Sequence, residues 1–216
     1  MSTSSRDESD VGNIGTGEGG QEGDMQPSSD ANRRTTETDI WMRAALPLTN
    51  EQQIQQATSA VWNALSDGKN RQILKLSLPL IGATEMDDWP GGDRQRYQAC
   101  QPMVRKILLN LPPAEGGQGK VTEQVLDESD AVGLLQLECT LAKDDASAII
   151  FPSTDVLEFQ EKVVSSAGPR LVALVNPGWK GLSDFGFFGK GRAEKALANF
   201  EVTYSLQSNV VWGYKV

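Results

Sequence analysis

The sequence predicts an α/β fold: a three-layer domain with a mixed sheet and a C-terminal hairpin. Two observations carry that reading. Segments with helical and with strand periodicity alternate along the chain. One run of five apolar residues, Leu171-Val172-Ala173-Leu174-Val175, reads as a central strand covered on both faces, which calls for helices above and below the sheet. The organisation is an acidic, Gly- and Ser-rich tail over 1–40, expected to be disordered, followed by a single domain over 41–216. The tail holds nine acidic residues against three basic and six glycines, with few apolar residues and no period, so it cannot bury enough surface to offset its ordering entropy.

The elements follow in order. Thr49 caps a helix over 50–66, with Gln52 completing a capping box. Ile54, Ala57, Val61 and Leu65 form its apolar stripe, and Gly68 closes it. Leu74, Leu76, Leu78 and Leu80 alternate with polar positions and predict a half-buried strand over 73–80. Asp93 caps a helix from Arg94 to about Leu111, which Pro102 should kink or split. Residues 114–120 read as a flexible loop. Val132, Leu134, Leu135, Leu137 and Leu141 allow either helix or strand, a strand near 132–138 being preferred, and Ala148 to Phe151 forms another strand. Thr154 or Asp155 caps a helix carrying Val156, Phe159 and Val163. The central strand 171–175 comes next, then a short helix from Arg192 to Ala198. Strands over 200–206 and 210–214 make the terminal hairpin. Ending on a strand leaves truncation at the C-terminus an open expectation.

Composition removes several classes of function. The chain has 216 residues, a formal charge of -9 and no histidine, so it has no His-based triad and no His-ligated metal site. Its two cysteines, Cys100 and Cys139, are far apart, which suits a reducing compartment and leaves no Cys-rich metal site. No basic run is present to meet a nucleic-acid backbone, and no apolar run approaches the roughly 20 residues of a membrane span. No metal and no cofactor is expected.

Motif matches fail on spacing. Gly116 to Lys120 resembles the end of a phosphate loop, but Ala114 and Val121 stand where a glycine and a hydroxyl are needed. Asp184-Phe185-Gly186 spells a kinase triplet without its partner loops. Cys139 has no base to activate it. The densest cluster is 176–191, with five glycines, three Phe and one Trp in sixteen residues, placed at the carboxyl end of the central strand, where α/β sheets set ligands. Asn176, Trp179, Asp184, Lys190 and Arg192 are its candidate contact residues. Trp89, Gly91, Gly92 and Gln95, ahead of the second long helix, are candidates for the same cleft. A purely structural role, with aromatics lidding the core and glycines permitting turns, stays beside the contact role for both groups.

These segments together resemble the DUF1995 family of plastids and cyanobacteria over about 45–216. The resemblance rests on Leu46-Pro47 before the helix ending Ala64-Leu65-Ser66-Asp67-Gly68, and on Leu78-Pro79-Leu80. It continues through Trp89-Pro90-Gly91-Gly92 with Gln95 and then Pro102, through Phe151-Pro152, and through Leu174-Val175-Asn176-Pro177 with Trp179. Ser183-Asp184-Phe185-Gly186 and Phe200-Glu201-Val202-Thr203-Tyr204-Ser205-Leu206 complete it. Ser153 stands where the family has Asp, and the Tyr-Pro segment with which members continue is absent. The resemblance implies a plastid accessory role, since members include photosystem II assembly factors and the domain is appended to some plastid adenylate kinases. It implies a chloroplast location although no transit peptide is visible, and protein partners, with photosystem II assembly intermediates among them. It carries over no catalytic residue, so a non-enzymatic role is preferred. A small-molecule or nucleotide-binding enzyme using the 176–192 loop, and a degenerate truncated paralogue, remain alternatives.

Limited proteolysis of the full chain tests the boundary. Cleavage should start within 1–40 and leave a resistant core; first cuts within 70–110 contradict the assignment.

Overall fold

The computed structural model describes residues 46–79, 92–112, 119–129 and 131–206. The tail, the turn 85–91, most of the 114–120 loop and the strand expected at 210–214 lie outside them.

Helix α1, Asn50–Ser66, starts where its cap predicts: Thr49 Oγ1 accepts the Gln52 N–H at 3.2 Å, and Gln52 Oε1 accepts the Leu48 N–H at 2.7 Å. Ile54, Ala57 and Val61 are buried along one face. Strand β1, Arg71–Lys75, begins two residues earlier than the leucine alternation predicts and leaves the ladder before Leu76. Burial alternates as expected along it, with Leu74 and Leu76 buried between the partly exposed Ile73, Lys75 and Ser77, while Arg71 and Gln72 at its start are both buried. Helix α2, Gly92–Leu109, begins one residue ahead of Asp93, whose carboxylate accepts from Arg96 at 2.8 Å within the first turn. It runs unbroken through Pro102. The carbonyl that Pro102 leaves without a donor belongs to Gln98, at an exposed position where water can meet it.

Strands β2, Lys120–Asp127, and β3, Val132–Glu138, form an antiparallel hairpin. The second matches its expected span; the first replaces what reads in sequence as loop and ambiguous chain. Strand β4, Ala146–Ile150, leads through a single 3₁₀ turn, Thr154–Val156, into helix α3, Leu157–Ala167. Neither Thr154 nor Asp155 caps that helix, because the 3₁₀ turn contains both. Strand β5, Leu171–Val175, matches its expected span. Helix α4, Gly186–Leu197, starts six residues before Arg192, so the glycine-aromatic stretch is largely helical. Strand β6, Glu201–Ser205, is the last described element.

The sheet order is β2-β3-β4-β5-β1-β6, with β4, β5, β1 and β6 parallel and the β2–β3 hairpin added antiparallel at one side. It is a mixed sheet. Alternation along β5 divides the core: Leu171, Ala173 and Val175 pack with α1 and α2, while Val172 and Leu174 pack with α3. These are the three layers.

Two polar residues at the start of β1 are buried among them. Arg71 is 8% exposed and Gln72 fully buried. The Arg71 guanidinium donates to the carbonyls of Asn70 at 3.0 Å, Arg170 at 2.6 Å and Val164 at 3.2 Å, and to that of Gly168. It thereby satisfies carbonyls that end α3 and places a cation at the negative pole of that helix. Gln72 Nε2 donates to the carbonyls of Val61 at 3.1 Å and Lys69 at 2.8 Å, and its Oε1 accepts from Thr203 Oγ1 at 2.9 Å. One residue therefore ties β1 to α3 and β5, and the next ties it to α1 and β6.

Replacing Arg71 by Met should orphan these carbonyls in the interior. We expect a loss of roughly 2–4 kcal/mol in urea unfolding, partly recovered by Lys. A loss under about 0.5 kcal/mol would show that the carbonyls find other donors.

Candidate functional site

The four parallel strands bring their carboxyl ends to one edge, the edge at which sheets of this kind place ligands. Two of those ends carry strained backbone. Phe151, after β4, has φ 50°, and Asn176, after β5, has φ 48°. Left-handed backbone costs a bulky residue about 1–2 kcal/mol. Pro177 biases the residue before it away from the right-handed helical region and toward extended geometry, but Asn176 takes the left-handed region instead.

The strain has a visible compensation. Asn176 N–H donates to the Leu74 carbonyl at 2.8 Å, and its side-chain amide then meets the Leu76 backbone twice. Oδ1 accepts the Leu76 N–H at 2.6 Å and Nδ2 donates to the Leu76 carbonyl at 3.0 Å. A side chain thus imitates the next rung of the β1–β5 ladder just where both strands end. At β4, the Phe151 N–H donates to Val175 at 2.9 Å, and Gly178 N–H donates to Pro152 at 3.0 Å. Arg96, on the first turns of α2, places its guanidinium carbon 4.9 Å from the Phe151 ring centroid, so a cation–π contact holds that helix end over the sheet edge. Ser153 Oγ is buried beside this turn without a hydrogen-bond partner.

The loop after Asn176 folds onto the other face. Trp179 is half-buried against the α3 side of the core and meets Phe185 with ring centroids 5.1 Å apart. Asp184 is exposed. Its Oδ2 accepts from the Lys180 N–H at 2.7 Å and the Gly181 N–H at 3.4 Å. The Lys180 N–H bond is the main reason that its carboxyl is held below the ordinary range; desolvation opposes it, and the Gly181 N–H, the Ser183 hydroxyl and the Lys180 charge add to it. Gly186 follows with φ +66°, a conformation that favours glycine, and α4 starts there. Arg192 on α4 is paired with Glu161 of α3, its Nε donating at 2.9 Å. Lys190 is exposed.

Among the candidates, Trp89 and Gly91 lie outside the described residues. Gly92 opens α2 with φ +60°, and Gln95 is half-buried on its first turn. Three of the polar candidates are engaged: Asn176 with Leu76, Asp184 with its own turn and Arg192 with Glu161. What reading the residues alone missed is the pair Phe187 and Phe188. They are 91% and 96% exposed and stack edge to face at 5.4 Å. Helical phase was the available signal. Ala193 is the fully buried residue of α4, and positions five and six before it fall well away from the core face at about 100° per residue. Among the described residues, no group of three or more His, Cys, Asp or Glu could hold a metal ion, and no helix is long and apolar enough to cross a membrane.

The class defined here is a three-layer α/β domain with a strained, internally braced strand edge and an exposed aromatic pair beside it. The family model described as "Domain of unknown function (DUF1995)" matches residues 47–214, and the chain belongs to that family. No curated protein and no solved structure matches it.

Asn176→Ala should remove the false rung and leave alanine in a left-handed turn, lowering stability by roughly 1–3 kcal/mol, while Asn176→Gly keeps the turn and loses less. Equal losses would show that φ carries no cost there. Asp184 has a depressed folded-state pKa, so its contribution is present at neutral pH and is lost as pH falls through that depressed value. Melting curves of Asp184→Asn should therefore sit slightly below the parent at pH 7 and converge with it in acid.

Proposed function

We propose that this chain is a non-enzymatic accessory protein that works through protein contacts, with the start of α4 as its contact surface. The observation that carries the reading is the exposed pair Phe187–Phe188. Two nearly bare aromatic rings side by side are unusual on a protein surface, and aromatic side chains anchor protein interfaces. The polar groups around them favour the same reading. Asp184, Asn176 and Arg192 are held in bonds that shape the loop, and a carboxylate whose pKa is lowered in water by its own backbone is a poor general base. Glycines at 186, 189 and 191 leave the rings unshielded by neighbouring side chains, and Lys180 and Lys190 lie exposed on either side in the sequence.

The finer assignment rests on membership of the DUF1995 family. The partner class is the assembly intermediates of photosystem II, met in a plastid, with 41–216 as the working domain and 1–40 as an acidic tail.

The test is association of the full chain with photosystem II assembly intermediates isolated from plastid membranes. The parent should co-sediment with them, and Phe187→Ser/Phe188→Ser should weaken association at least about tenfold with stability within about 0.5 kcal/mol. A parent that fails to associate, or a double variant that associates equally well, overturns the assignment. Loss of binding in Asp184→Asn at unchanged stability would point instead to a polar ligand in the loop.

A further inference from the structure

The contact surface proposed for the start of α4 has a charge pattern as well as an apolar centre, and that pattern, resting on the same reading, restricts the partner. At about 100° per residue, the face of α4 opposite the buried Ala193 carries Phe187, Phe188, Gly191 and Lys195, with Lys190 and Glu194 on one flank and Arg192 on the other. Gly191 stands one turn beyond both rings. Helical side chains lean toward the N-terminus, so a larger residue at 191 would lie over the rings. There is open space where its Cβ would be, and the rings stay bare on that side.

Residues 180–195 hold four basic residues, Lys180, Lys190, Arg192 and Lys195, against two acidic, Asp184 and Glu194, on a chain whose net charge is -9. Arg192 is already paired with Glu161, and Asp184 accepts from the backbone of its own turn. Lys190 and Lys195 are exposed, and among the described residues neither makes an ion pair. Two free cations therefore border the rings, Lys190 one turn on from Phe187 and Lys195 two turns on from Phe188. The acidic chain as a whole repels an acidic partner, so these cations select the one face that such a partner can approach. An anionic membrane surface would meet the same cations, but Glu194 is exposed beside Lys190 and a layer of anionic headgroups repels it. A protein can place a donor against that carboxylate.

We propose that the partner of α4 is an acidic protein surface: an apolar pocket that takes both rings, with carboxylates about 5–10 Å to one side of it that meet Lys190 and Lys195.

The test is co-sedimentation of the full chain with photosystem II assembly intermediates at about 50 and about 300 mM salt. Association should fall at least about fivefold across that range. Lys190→Glu/Lys195→Glu should weaken it about tenfold at the lower salt and flatten the salt dependence, while Lys190→Arg/Lys195→Arg should bind like the parent. Lys120→Glu/Lys143→Glu, the same change of charge on other elements, should weaken it less than about twofold. Melting curves confirm that each variant folds. A parent that does not associate removes the contact surface and this proposal together. A parent whose association depends on Phe187 and Phe188 but neither on salt nor on the two lysines leaves the contact surface standing and overturns the acidic partner alone. Equal losses from Lys120→Glu/Lys143→Glu overturn it too. So does parent binding to protein-free phosphatidylglycerol vesicles that the lysine and phenylalanine variants both lose, which would assign the face to a lipid surface.

Discussion

Arg71 and Gln72 are placed where a central strand normally carries apolar side chains, and the layering of the domain depends on how they are satisfied. The guanidinium has planar donors fixed in a fork, and here the fork closes on carbonyls from the end of α3 and the chain entering β5. The neighbouring amide, pointing to the other face, fixes the end of α1 and the edge strand β6. Hydrophobic contact alone would allow each helix to slide along the sheet, because it is non-directional. These bonds are directional and buried, so sliding would expose several unsatisfied groups together. They set the register between layers, and the apolar surfaces on either side then supply the stability.

The two ends of the parallel strands are built on different principles. At the amino end, Arg71 and Arg170 donate to the carbonyls that end α3 and so neutralise a helix terminus. At the carboxyl end, the backbone is bent into left-handed turns at Phe151 and Asn176, and the strain is held by a cation–π contact on one strand and an amide bridge on the other. Such bracing fixes the origin of the loop that carries Trp179 and Phe185. The exposed phenylalanines therefore project from a rigid base, which lowers the ordering cost of meeting a partner.

How much of this was legible in the sequence follows from which forces leave local marks. Helix α1 and β5 were readable because their apolar patterns are strong and their ends carry cap or breaker residues, whereas at β3 Val132, Leu134, Leu135 and Leu137 fit a helix as well as a strand. The start of β1 was hidden, since Arg71 and Gln72 look like surface residues until distant carbonyls are brought to them. Strand β2 was hidden for the opposite reason: at the edge of the sheet it buries only Val121, so no alternation survives. Helix α4 was begun too late because glycines suggest loop, while Asp184 holds the preceding turn in place for the helix to start at Gly186. In the candidate site, the residue types of Asn176 and Asp184 were informative about shape.

Gly133 and Tyr97 form a small lock between β3 and α2. A methyl group at 133 would lie 2.1 Å from the Tyr97 hydroxyl and 2.6 Å from the ring, while that hydroxyl donates to Glu123 at 2.8 Å. Removing only the hydroxyl leaves the ring carbons in the way. Position 133 can thus gain a side chain only if the Tyr97 ring swings aside or position 97 becomes smaller, and in either case Glu123 loses its tyrosine donor and is left to Gln101 and Arg105. Three positions on three elements are thereby coupled through one ring, so the cost of a change at any one of them depends on the other two and the three do not act as independent sites.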